Sequence, residues 1–189
     1  MNKNWLVTVG LLVCVVAAIT LVAEAAEEEE KDKKKSEFYY ATAISGGNMI
    51  RLTIIINSYT PDEEVRALAE TLKTNGPDAL SKALEKTDRG DIAAGDQLGN
   101  TINVARTFQT DKGRVIRLLL NRPIGFLEAA RRGRSMDYEF SLVELLVDEK
   151  GKGSGVMVPA AKILFNKEGQ LDIENYGVSP VRVTNVERR

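Results

Sequence analysis

Histidine is absent from the chain. That removes Ser-His-Asp and Cys-His nucleophilic catalysis, imidazole acid–base work and every metal site built on an imidazole ligand. Cysteine occurs once, as Cys14, inside an apolar N-terminal run. Beyond that run there is no disulfide, thiol nucleophile or thiolate ligand. Trp5, the single tryptophan, lies in the same run, so the rest of the chain lacks a frequent anchor of binding surfaces. Neither sign of charge is in excess: 26 basic side chains stand against 27 acidic ones, a formal net charge of −1. Such a balance supplies no global field for nucleic acid or for an anionic membrane. No nucleic-acid partner is expected, and membrane contact is expected only through the N-terminal segment if that segment stays uncleaved.

Cofactor signatures are missing as well. The stretch GDQLGN (95–100) has the wrong glycine spacing for a dinucleotide fingerprint, and no helical pattern follows it. There is no oxygen-rich calcium loop of the EF-hand type and no S-x-x-K. The sequence gives no reason to expect a cofactor, a metal or a catalytic residue.

What is present begins with an address. Lys3 precedes an apolar run from Trp5 to Val22, and Ala23-Glu24-Ala25 fits a small-x-small cleavage pattern. Residues 1–25 read as a signal peptide cut after Ala25 or Ala26, which places the protein in the periplasm or outside the cell. The alternative is an anchor formed by residues 5–22, which at a helical rise would reach about 27 Å, marginal for a bilayer core. Leu11-Leu12-Val13-Cys14 resembles a lipobox poorly, because Val13 stands where a small residue is needed. Residues 26–36 carry EEEEKDKKK and read as a charged, disordered linker with nothing to bury.

Residues 37–189 read as one α+β domain. Met49 to Asn57 alternates as a half-buried strand. A helical hairpin is expected after this first strand, over Pro61 to Lys86. Thr60 is its candidate N-cap, with Pro61 at the first helical position and Glu63 completing a capping box. A short strand at Asp91 to Ala94 follows. Three triplets then place glycine third: Asp111-Lys112-Gly113, Glu149-Lys150-Gly151 and Lys167-Glu168-Gly169. Each fits a three-residue hairpin loop that needs a left-handed residue. Together they predict an antiparallel meander of about seven or eight strands, curved or closed into a barrel, with a two-layer sandwich as the alternative. In that register Phe108 faces Ile116, Arg106 faces Leu118 and Val104 faces Leu120. Further on, Leu142 faces Val158, Phe140 faces Ala160, and Ile163 faces Ile173. A bulge is expected near Pro159-Ala160-Ala161, where the buried face switches. A last strand is expected over Val181 to Val186.

Two ligand-binding candidates emerge. The expected register puts Arg106 on the apolar face, where a guanidinium is costly unless paired. It is either an anchor for an anionic or polar ligand or a stem covering core atoms with its head at the rim. Arg131, Arg132 and Arg134 form RRGR, which could fork around phosphate, sulfate or carboxylate. The other reading is a solvated loop balanced by Glu128 and Asp137. The carboxylates Asp137, Glu139 and Glu144 lie close in sequence, but paired carboxylates act across a cleft, which spacing along one strand does not supply.

The stretches RLTIIINSYTPDEEVRALAETL (51–72), ALEKTDRG (83–90), KILFNKEGQLDIENYG (162–177) and PVRVTNV (180–186) resemble a family of uncharacterised exported bacterial proteins. The resemblance implies export and a shared fold, and carries no activity or site residue. The expectation is an exported envelope protein that binds an unknown protein partner or a small, amphiphilic or anionic, ligand. A small carboxylate-dependent hydrolase and a structural or assembly component are the alternatives.

Overall fold

The computed structural model describes residues 36–96, 98–124, 139–165, 171–175 and 180–189. The expected signal peptide, the expected linker through Lys35, the third turn triplet and the RRGR cluster lie outside the described residues.

Among the described residues ten strands and two helices follow one another. β1 is Glu37–Ser45 and β2 is Asn48–Ile56. Helices α1 (Asp62–Asn75) and α2 (Pro77–Leu84) come next, with only Gly76 between them. β3 is Gly90–Ala94, β4 Asn100–Thr101, β5 Val104–Thr110 and β6 Gly113–Leu120. β7 is Phe140–Val147, β8 Lys152–Phe165, β9 Leu171–Asn175 and β10 Val181–Arg188. Every pairing is antiparallel, in the order β4-β3-β2-β1-β10-β8-β7-β6-β5, with β9 added beside β8.

The α+β class and the antiparallel sheet agree with the sequence reading. The strand count does not: ten strands replace seven or eight. One missed strand is β1, whose Phe-Tyr-Tyr run has high β-propensity but follows directly on the charged linker. The helices therefore follow the second strand. The start of α1 also differs. Pro61 occupies the cap position with no side-chain cap bond, and the Thr60 hydroxyl instead accepts the Ala105 N–H at 3.0 Å.

The sheet curls. Its concave side is filled by Tyr39, Leu52, Ile54, Ile92, Ile116, Leu118, Leu145, Met157 and Val183, drawn from strands along most of the sheet order. The convex side of β5–β8 packs against the helices, where Leu72, Leu80 and Leu84 meet Val104, Phe140 and Ile163. The chain between β4 and β5 touches both ends of the sheet order. Ile102 N–H donates to Gly90 O at 2.7 Å, beside β3, and Asn103 N–H donates to Leu119 O at 2.9 Å, on β6. Ile102 belongs to the concave core and Val104 to the helix-covered one, so the strand direction breaks at Asn103.

The hairpin registers divide. Leu142 pairs with Val158 and Ile163 with Ile173, as expected. The bulge at Pro159-Ala160 is present, and it moves the partner of Phe140 to Ala161, one residue beyond the expected Ala160. The β5–β6 hairpin is a correction. Thr110 pairs with Gly113, so the loop has two residues, and Phe108 faces Val115, Arg106 faces Arg117 and Val104 faces Leu119. Gly113 has φ +126°, and a Cβ there would lie 2.4 Å from the Val147 carbonyl oxygen. That glycine serves the close approach of β7, not the loop.

Candidate functional site

A one-residue change of register moves a side chain to the other face of the sheet. Arg106 accordingly lies on the convex face, by the start of α1. Its Nη1 donates to Thr60 O at 2.9 Å and pairs with Asp62 Oδ1 at 2.5 Å. Opposite it, Arg117 Nε meets Glu144 Oε2 at 2.6 Å. Both guanidiniums flank the Phe108 ring, at 5.5 and 5.3 Å from its centroid. Two carboxylates and one aromatic ring thus offset a like-charge cross-strand pair. The other candidates, Arg131, Arg132 and Arg134, lie outside the described residues. Asp137 is likewise outside, and Glu144 is engaged by Arg117.

The alternation that buries Ile116, Leu118 and Leu120 of β6 also turns Arg114 inward. In β1, the alternation that buries Tyr39, Ala41 and Ala43 turns Glu37 inward. The two strands are not neighbours in the sheet, so their side chains meet across the concave side. Arg114 Nη1 donates to Glu37 Oε1 at 3.1 Å, and Nη2 donates to Glu37 Oε2 and to the Tyr39 hydroxyl. The Tyr39 hydroxyl donates to Glu37 Oε2 at 2.5 Å. Arg188, at the end of β10, places Nε 3.7 Å from the same oxygen. Glu37 and Arg114 are 13% and 19% exposed, and Arg188 44%.

Tyr59 completes the group. Its segment runs from β2 to the outer edge of β5: Asn57 N–H donates to Arg89 O and Thr60 N–H to Ala105 O, both at 2.8 Å. The Tyr59 ring packs on the concave core. Its hydroxyl is buried beside the Glu37 carboxylate without a hydrogen bond of normal geometry to any described residue. Two guanidiniums therefore share one carboxylate, and the Tyr59 hydroxyl stands beside it with no well-formed hydrogen bond among the described residues.

The electrostatics follow from these contacts. Burial pushes the Glu37 carboxyl up, but hydrogen bonds from Arg114 and Tyr39 and the charges of Arg114 and Arg188 outweigh it and hold the pKa below 4.5. Hydrogen bonding to Glu37 holds Arg114 above the usual guanidinium range against the opposing cost of burial. Burial, reinforced by Glu37, raises Tyr39 far above the ordinary tyrosine value. Burial, again with the Glu37 charge adding, pushes Tyr59 up to about 12. Glu37 is held as an anion and both phenols as neutral donors, an arrangement suited to fixing charge and unsuited to shuttling protons near neutral pH.

Among the described residues no three His, Cys, Asp or Glu side chains group as a metal site would require, and no helix is long and apolar enough to cross a membrane. No family model, curated protein or solved structure matches the chain. What the site does has to be read from its own geometry.

Proposed function

We propose that the protein is a non-enzymatic, exported binding protein of the bacterial envelope or exterior, and that its ligand presents an anionic oxygen group to the Tyr59–Arg188 corner. The observation carrying this reading is the buried Tyr59 hydroxyl, which makes no well-formed hydrogen bond among the described residues, next to two guanidiniums that share a single carboxylate. An unpaired buried hydroxyl costs about 1–3 kcal/mol. A carboxylate or phosphate oxygen entering past the half-exposed Arg188 accepts that proton and balances the surplus positive charge. The concave side is filled by its own large side chains, which favours an end-on site over a ligand swallowed into the curl. We further infer that the curl closes as a barrel through residues 100–104, supported by their bonds to β3 and β6. Closure fixes the rim on which the site stands.

Melting curves in millimolar phosphate, acetate, octanoate and choline test this. The anions are expected to raise Tm, choline to leave it unchanged, and Arg188→Gln to abolish the anion response. Melting that ignores all three anions, or an Arg188→Gln variant that responds like the parent, would end the proposal.

A further inference from the structure

β5 ends the sheet order, so one long side of it has no strand beside it among the described residues. The pairing fixes which backbone groups lie on that side. Thr110 and Gly113 close a two-residue turn as a directly bonded pair, so Val104, Arg106, Phe108 and Thr110 aim their N–H and C=O at β6. The residues between them aim outward. Ala105 shows this: its N–H donates to Thr60 Oγ1 at 3.0 Å, and its carbonyl accepts the Thr60 N–H at 2.8 Å. Thr107 and Gln109 have no equivalent partner among the described residues, and Thr107–Thr110 is exposed throughout. The usual protections of an edge are missing here: no proline, no lysine and no bulge between Arg106 and Thr110.

The free edge is also bounded. Thr60 occupies it at Ala105, and the turn at Asp111-Lys112 ends it beyond Thr110. Its midpoint is Phe108. We propose that this edge is a self-association site, on which two copies of the chain pair β5 with β5, antiparallel, about a twofold axis through Phe108. That register sets Thr107 opposite Gln109 of the partner subunit, and its symmetry mate does the same, so all four free backbone donors and acceptors on each side are used. Arg106 falls opposite Thr110 of the partner subunit, so no like charges meet. Phe108 faces its own copy in the close, non-hydrogen-bonded position, with Cα atoms about 4.5 Å apart. The flanking guanidiniums are already neutralised by Asp62 and Glu144 and do not repel. Five residues of edge make a contact below the standard interface of about 1,200–2,000 Å². The dimer therefore exchanges with monomer and is concentration-dependent.

Sedimentation velocity over a concentration series, with disulfide trapping in a Cys14→Ser background, tests the pairing. The parent is expected to shift from monomer toward dimer as concentration rises. Phe108→Cys is expected to give a disulfide-linked dimer under mild oxidation, and the control Ser154→Cys, on an exposed position of β8, none. Thr107→Pro removes an outward N–H and leaves the β5–β6 ladder whole, so it is expected to keep its melting transition and lose the dimer. A protein that stays monomeric at every concentration overturns the proposal. So does a dimer indifferent to Thr107→Pro, or trapping at residue 108 no faster than at 154. If Thr107→Pro does not fold, trapping at Phe108 decides alone.

Discussion

Glu37 concentrates the electrostatics of the molecule in one side chain. Its folded pKa lies below 4.5, so the stability it confers is complete above that value and is lost as pH falls through the lower, folded one. Urea midpoints should accordingly be flat from neutral pH down to about 5 and drop steeply below, if Glu37 dominates the acid limb. Glu37→Gln leaves Arg114 poorly exposed and without its anion. It should cost about 3 kcal/mol at pH 7 and flatten the acid limb; a variant as stable as the parent would show the pair to be inert. At the alkaline end the sign reverses. Tyr39 and Tyr59 hold their protons more tightly folded than unfolded, so their contribution is present below the ordinary tyrosine value of 10 and fades as pH rises through the folded values, about 12 for Tyr59 and higher still for Tyr39. Phenolate absorbance should show two tyrosines ionising only with loss of the fold. This cluster was only half legible in the sequence. The inward direction of Arg114 follows from the alternation of Ile116, Leu118 and Leu120. Its partner does not, because Glu37 sits 77 residues away and abuts a run of charges that reads as linker.

Among the elements, the β7–β8 hairpin is the one whose sequence and structure agree most closely. Gly151 takes φ +75°, the left-handed turn position expected of it, and Asp148 Oδ1 accepts the N–H groups of Lys150 and Lys152. Two further glycines in β8 have a reason that no local pattern reveals. A Cβ at Gly153 would lie 1.8 Å from Leu146 O, and one at Gly155 2.1 Å from Glu144 O. Gly155→Ala should therefore force the two strands apart and lower stability by at least about 2 kcal/mol in urea melts; an unperturbed midpoint would mean the strands are not so close. Asn103 holds the break between β4 and β5. Its Nδ2 donates to Leu84 O at 2.8 Å and Thr87 O at 3.0 Å, and its Oδ1 accepts the Asn121 N–H at 2.7 Å. Asn103→Ala strands three backbone groups, and a loss of about 3 kcal/mol is the expected result. The β5–β6 misreading has the same origin as the hidden role of Gly153. A glycine required by a neighbouring strand looks, in the sequence, like one required by a turn, and at Gly113 that likeness shifted the register and moved Arg106 to the wrong face.

At the level of the whole molecule, β10 joins the two halves of the sheet, β4–β1 on one side and β8–β5, with β9 beside β8, on the other. It brings Val181, Val183 and Val186 into the concave core and pairs with both β1 and β8. Deleting residues 181–189 should abolish cooperative thermal unfolding altogether, read as a broad, baseline-like circular-dichroism trace. A truncated chain with a sharp transition would show that the halves fold apart. Such central placement was invisible to hairpin logic, which links each strand to the next, whereas β1 and β10 pair across most of the chain. The order of synthesis gives this arrangement a further meaning. Every strand that β10 bridges leaves the ribosome before it, so β1 and β8 gain the neighbour they share only when residues 181–188 emerge. The last strand to be made is therefore the one that completes the hydrogen-bonded sheet.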